Sequence, residues 1–265
     1  MKISIIGAGN MGGAIARGLS KGSFFSGSDI TISDINQVNL QKILDLNVGI
    51  NCTDSNRACV HGAEIVVLAV KPWLVDSIAA EIRDLLNYNS QIIISIAAGV
   101  PLEKLRTLFS GSDDQVPTLF RMIPNTAIDA MESFSCISSW NATQDQEEQI
   151  VKIFDELGKA MLVPESQLNA FMSLSSCGIA YALRYIRAAT EGGVEMGIYP
   201  NVAQEVVLQT LKGAVALLEG TGNHPEVEID KVTTAGGVTI KGLNEMEHAG
   251  FTSAVIRGLK ASHLG

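Results

Sequence analysis

The sequence has no basic cluster, no long apolar run and no closely spaced pair of cysteines, and each absence removes a class of function. Its formal net charge is −9. Binding to a phosphate backbone draws on clustered Lys and Arg, so no nucleic-acid partner is expected. The longest apolar runs, EIVVLAV and QIIISIAAGV, fall well short of the roughly 20 residues that a membrane helix needs. Met1 leads straight into the strand-like KISII, so secretion is not expected. Cys52, Cys59, Cys136 and Cys177 lack a C-x-x-C pairing, which reads as reduced thiols in a cytoplasmic chain. Cys52, Cys59 and His61 match no common zinc spacing, and no metal is expected.

What is present is a chain of 265 residues, 46% of them hydrophobic, enough for one large core or two smaller ones. Residues 2–6, 29–33, 64–70 and 91–96 are short Ile/Val-rich runs, as strands covered on both faces require. Amphipathic segments at 11–21, 36–46 and 73–87 lie between them, which implies βαβ units and a mostly parallel sheet. Runs at 117–123 and 133–140 extend that sheet, and 159–164 closes it. After residue 164 the strand runs stop and apolar residues recur at helical spacing, predicting helices over 165–198, 200–219, 238–249 and 252–262. The expectation is an α/β N-terminal domain over 1–163 and an all-α domain over 164–265. A helical half this small and apolar often completes its core against a second copy, so at least a homodimer is expected.

SIIGAGNMGGAIARGL carries Gly7, Gly9 and Gly12 in the spacing G-x-G-x-x-G, after a strand and opening a helix. In that context Gly7 serves the tight turn, Gly9 lets backbone approach a pyrophosphate, and Gly12 lets the helix pack on the strand. Ile6, Ala8, Asn10 and Met11 complete this dinucleotide-binding corner of Rossmann type. Asp34 lies 22 residues after Gly12, at the end of the second strand, where a carboxylate accepts from ribose hydroxyls and repels a 2′-phosphate. No Lys or Arg stands between it and Lys42, which favours NADH over NADPH. The same carboxylate could instead cap the helix from 36, and Arg57 could supply a phosphate contact. AVKP (69–72) and IAAG (96–99) follow two further strands, where ligands of open α/β sheets bind.

With GAGNMG, AVKP, SIAAG, IPNT (123–126) and HPEVEIDKVTTAGGVTIKGLNEMEHAGF in order along nearly the whole chain, the sequence resembles the pyrroline-5-carboxylate reductase family. The resemblance implies a Rossmann domain joined to a helical dimerisation domain. It also implies the final step of proline biosynthesis, the reduction of the cyclic imine Δ1-pyrroline-5-carboxylate by NAD(P)H. By matching position, Asn56 falls near the adenosine ribose, and Ala69, Val70, Lys71, Pro72, Ala97 and Ala98 line the cofactor. Lys231 falls close to the cofactor, and Glu165 near the substrate ring. Thr234, Gly236, Gly237 and Val238 form the substrate loop, with Thr239 as the catalytic hydroxyl. Ala127, Ile179 and Ala235 stand where the family has proline, which frees the backbone at all three.

The paired glycines Gly236 and Gly237 before a helix allow close backbone approach, and the first-turn N–H groups lack intrahelical partners, a corner suited to a small carboxylate. Thr239 can then reach an imine nitrogen. Ser175, Ser176 and Cys177 have no His in a motif with them, so a nucleophilic triad is not expected. His248 falls in a last helical turn, where a cation is favoured. Other readings are a reductase of a related cyclic imine and an NAD(P)-binding regulatory protein without catalysis. A 3-hydroxyacid dehydrogenase would need a lysine within 165–183, and there is none.

Overall fold

The computed structural model describes residues 1–111 and 115–263, and its contacts divide the chain into two compact units, one from Met1 to Ser176 and the other beginning at Cys177. In the first unit, strands β1 (Ile3–Ile6), β2 (Ile30–Ser33), β3 (Asn51–Thr53), β4 (Ile65–Leu68), β5 (Ile92–Ser95), β6 (Thr118–Ile123), β7 (Ser133–Trp140) and β8 (Gly158–Leu162) form one sheet in the order β3-β2-β1-β4-β5-β6-β7-β8. All pairings are parallel except β6 with β7. The strand order reverses at β1, since β2 and β3 run to one side and β4 onward to the other. Ile6 lies level with Ser33 on β2 and with Leu68 on β4, so the carboxyl ends of the three strands share one rim.

Helices α1 (Asn10–Leu19), α2 (Gln37–Leu44), α3 (Asn56–Val60), α4 (Val75–Ile82), α5 (Leu102–Phe109) and α6 (Gln144–Asp155) cover the sheet. Alternation along β1 sends Ile3 and Ile5 into one buried cluster and Ile6 into another; Phe120 and Leu119 on β6 divide the same way. Both faces are therefore dry, which explains why these strands read as continuous Ile/Val runs. The short polar strand β3 escaped the apolar pattern. So did α6, whose sequence signal is the capping box of Thr143 and Gln146 rather than its largely polar face.

The single helix anticipated over 165–198 is broken. A 3₁₀ turn (Glu165–Gln167) leads into α7 (Leu168–Met172), and a π turn (Ser173–Cys177) precedes α8 (Gly178–Glu195). The hydroxyls of Ser173 and Ser175 donate to the carbonyls four residues back, Asn169 O at 2.9 Å and Phe171 O at 2.8 Å, competing with the helical N–H groups. The IPNT segment holds the turn from outside, with Ser176 Oγ donating to Pro124 O at 2.8 Å and Asn125 Nδ2 to Ser175 O at 3.4 Å.

The second unit is helical: α8, α9 (Pro200–Thr221), α10 (Pro225–Val232), α11 (Val238–His248) and α12 (Phe251–Ala261). α9 starts with Pro200 and ends at Gly222 with φ 65°, the punctuation its sequence announced. Gly193 on α8 lies against Ala203 on α9, where an added methyl would stand 2.9 Å from the alanine Cβ. Tyr185 and Phe251 meet edge to face at 6.5 Å.

Candidate active site

The chain leaves β1 at Ile6 and turns at Gly7, whose φ of 104° is closed to residues with a side chain. Gly7 N donates to Ser33 O at 2.7 Å and Ala69 N to Ile6 O at 2.8 Å, so the turn is sewn to both neighbouring strands. A methyl on Gly7 would strike the Ala69 carbonyl oxygen, and one on Gly12 the Gly7 carbonyl oxygen. Gly9 differs, because a methyl there would meet nothing within 4 Å. It caps α1 without a side-chain hydrogen bond, which leaves the first N–H groups of the helix without a capping side chain. That open cradle fits a pyrophosphate, with Ala8, Asn10 and Met11 around it.

Asp34 is half-buried at the rim, and its oxygens accept from Ala8 N at 2.8 Å, Asn36 N at 2.8 Å and Asn39 Nδ2 at 3.1 Å. The cap of α2 is Asn36, which accepts from Val38 N, so Asp34 supports the glycine turn as well as the helix start. Three donors leave the carboxylate with acceptor capacity to spare. Ser33 Oγ donates to Asn56 Oδ1 at 2.9 Å, and Asn56 Nδ2 donates to Glu81 Oε2 at 2.9 Å. Arg57 turns away from this chain. Its guanidinium spans both Asp84 oxygens at 3.0 and 3.2 Å and also donates to the Glu81 carbonyl. That hydrogen-bonded pairing raises the Arg57 pKa and lowers that of Asp84.

On the other side of β1, Ala69 and Val70 border the glycine turn, and exposed Lys71 opens a short turn that begins with Pro72. Ala97 is buried and Ala98 exposed just beyond β5, before Gly99 with φ 78°. Glu165 has its Oε1 taken by Leu102 N at 2.7 Å and by buried Arg121 Nη1 at 3.2 Å, which ties the start of α5 to β6. Sequence reasoning missed Glu81 and Arg121, because neither lies in a recognisable motif.

The remaining candidates belong to the helical unit. Lys231 on α10 pairs with Glu228 at 2.7 Å. Asn223 and Lys231 together hold the Glu228 carboxyl below its ordinary range. After α10 the chain makes a turn closed by Gly237 N donating to Thr234 O at 2.9 Å, with Gly236 at φ 74°. A methyl on Gly237 would press on Thr234 Oγ1, whereas one on Gly236 would meet nothing within 4 Å. Gly237 caps α11 without a side chain, no acidic residue occupies the first turn, and Val238 and Thr239 are exposed. Both glycine corners thus present uncapped helix starts, each preceded by a glycine at positive φ.

Residues 165–264 match the family model described as pyrroline-5-carboxylate reductase dimerisation, and residues 2–99 match one described as NADP oxidoreductase, coenzyme F420-dependent. Over 98% of its length the chain is 38% identical to pyrroline-5-carboxylate reductase 1 of Dictyostelium discoideum, but it spans only about half (48%) of that relative. It is 33% identical to pyrroline-5-carboxylate reductase 2 of the same organism, covering 98% of this chain and 90% of the other. Among solved structures, the pyrroline carboxylate reductase of Plasmodium falciparum with NADP bound superposes with a TM-score of 0.87 at 25% identity, over 99% of this chain and 95% of that one. A nearly full-length match to a curated reductase, together with a glycine corner at the strand-order reversal and a second one opening α11, establishes that the chain belongs to the pyrroline-5-carboxylate reductase family, whose members are NAD(P)H-dependent oxidoreductases acting on a C=N bond in proline biosynthesis.

Proposed function

We propose that the sheet unit holds the dinucleotide at Gly7–Gly12, and that the 233–239 turn holds the carboxylate of Δ1-pyrroline-5-carboxylate while Thr239 faces the imine nitrogen. The observation that carries this reading is the start of α11, where Gly236 and Gly237 bring bare backbone to N–H groups that no side chain caps. Such a corner suits a small anion. When bound, NAD(P)H supplies the hydride that reduces the C=N bond to give proline. Carbon accepts hydride readily only when the nitrogen is protonated, so the work of Thr239 is to orient that N–H and keep its proton in place. Val238 closes over the ring. Holding the reactants in register is worth roughly 7–11 kcal/mol of barrier, which makes positioning the main contribution of the chain.

At the cofactor end, Ile6, Ala8, Asn10 and Met11 shape the pyrophosphate cradle, and Asp34 and Asn56 face the adenosine ribose. Ala69, Val70, Lys71, Pro72, Ala97 and Ala98 flank the nicotinamide half, and by family position Lys231 is read as a cofactor contact and Glu165 as a substrate contact. The Asp34 charge favours NADH, although a solved relative holds NADP. We read residues 164–265 as the substrate-binding and dimerisation domain of a cytoplasmic enzyme that assembles as at least a dimer. The family membership points to a small-molecule substrate, a cyclic imine carboxylate, and the −9 charge argues against a nucleic-acid partner. Among the described residues, no helix is long and apolar enough to cross a membrane.

The decisive experiment follows oxidation of NADH and NADPH with pyrroline-5-carboxylate as acceptor. Turnover with either supports the reading. Cofactor binding without turnover favours the regulatory alternative, which the three missing prolines keep in play.

A further inference from the structure

Asn56 is a carboxamide whose two ends are chemically distinct, and the structure gives each end one partner. Ser33 Oγ donates to Oδ1 at 2.9 Å, and Nδ2 donates to Glu81 Oε2 at 2.9 Å. A carboxylate only accepts, so the end facing Glu81 must be the NH₂. Reversing the amide would set its oxygen against the Glu81 carboxylate, two acceptors with no proton between them. Glu81 therefore selects one of two otherwise similar orientations. In that orientation Asn56 keeps one N–H and one lone pair free at the carboxyl ends of β2 and β3.

Glu81 is well placed for this task. It lies on α4 with its side chain half-buried, and Asn56 is the first residue of α3, so a helix remote in sequence fixes the amide. Arg57, the adjacent cation, spends its guanidinium on Asp84 and on the carbonyl oxygen of Glu81, which leaves the Glu81 carboxylate to Asn56.

We infer that Glu81 is a positioning residue for the dinucleotide: through its hydrogen bond to Asn56 Nδ2 it holds the carboxamide in the orientation that meets the adenosine ribose hydroxyls. The inference rests on the reading of Asn56 as a ribose contact. A correctly turned amide adds about one hydrogen bond to cofactor affinity, close to tenfold. Because the adenosine half takes no part in the chemistry, that gain belongs to KM for the cofactor and not to kcat.

The test compares the purified full-length enzyme with Asn56→Ala, Glu81→Met, Glu81→Gln and the double variant Asn56→Ala/Glu81→Met, varying the dinucleotide at saturating pyrroline-5-carboxylate and, without the imine, titrating NADH and NADPH by fluorescence to give a Kd that should move in step with KM. Methionine keeps the length of the stem and loses the acceptor; Glu81→Ala repeats the test if the methionine variant does not fold. Asn56→Ala and Glu81→Met should each raise KM for the cofactor about tenfold with kcat within a factor of two, and the double variant should be no worse than Asn56→Ala alone. Glu81→Gln, whose amide can accept the same N–H but can also pair with the reversed Asn56, should recover only part of the loss. An unchanged KM in Glu81→Met, or losses that multiply in the double variant, overturns the inference. If Asn56→Ala keeps the wild-type KM while Glu81→Met does not, Glu81 acts by another route and the inference fails, with dinucleotide binding intact. A wild-type enzyme that neither binds nor oxidises NAD(P)H overturns the underlying reading along with it.

Discussion

The sheet unit encloses its own apolar interior, whereas the helical unit leaves its apolar residues on the outside. β1, β4, β5 and β6 are buried along their whole length, and Phe109, Phe120 and Phe154 are fully enclosed. From Cys177 onward, Gly193 and Ala203 are the only buried positions among the described residues, while Val206, Val215, Leu217, Tyr199 and Met196 are exposed. A groove of about 660 Å³ lined by Leu183, Ile186, Val194 and Pro200 lies in the same unit. Exposed apolar surface on this scale marks an interaction face, and the match to a dimerisation model indicates a further copy of the chain. The two units thus differ in where apolar surface lies, inside the sheet unit and on a face of the helical unit that an oligomer can cover.

The contrast is testable, beginning with its largest consequence. Phe120→Ala empties a fully buried site, and the sheet unit should lose about 3–5 kcal/mol in denaturant melts; a loss below 1 kcal/mol would contradict the packed interior. Val206→Glu places a charge on the exposed face of α9, where assembly would bury it at a cost of roughly 3–5 kcal/mol. Light scattering should then give a mass nearer one chain while the sheet unit still binds dinucleotide. Dissociation that abolishes binding would blur the distinction between the units.

Thr239→Ala should lower kcat tenfold or more without weakening dinucleotide binding, which would separate the role proposed for the α11 corner from cofactor affinity. Unchanged turnover would remove Thr239 from the mechanism. Asp34→Ser should move the ratio of kcat/KM for NADPH over NADH upward by about fivefold to tenfold, the scale of one screened charge repulsion. The smallest effect concerns the exposed Arg57–Asp84 pair. The folded-state pKa of Asp84 is depressed below its ordinary 3.8, so its contribution is present above that value and fades as pH falls through the lowered one. Thermal melts of Asp84→Asn should show a slightly flatter acid-side decline, and an identical pH profile would show the pair to be idle.

Legibility followed the strength of local signals. The glycine turn could be read because one backbone conformation and two close approaches admit no side chain at Gly7 and Gly12. The α11 corner was legible for the same reason, at Gly236. The Ser/Cys-rich stretch 173–177 was not, since a π turn depends on hydroxyls reaching carbonyls and on the IPNT segment holding it from outside. Glu165 matched a family position, but its tie to Leu102 and Arg121 joins residues 63 and 44 positions apart.

The sequence by itself determined the alternation of strands and helices, the change to helices after 164, and both glycine corners, because periodicity and backbone freedom are local properties. Only the tertiary structure decided that the strand order reverses at β1, that Asp34 braces the glycine turn, and that Ser33, Asn56 and Glu81 form one hydrogen-bonded chain. Those features require side chains from separate elements to meet at one rim. A hydrogen bond is satisfied by distance and direction in space, and neither is written in the spacing of residues along the chain.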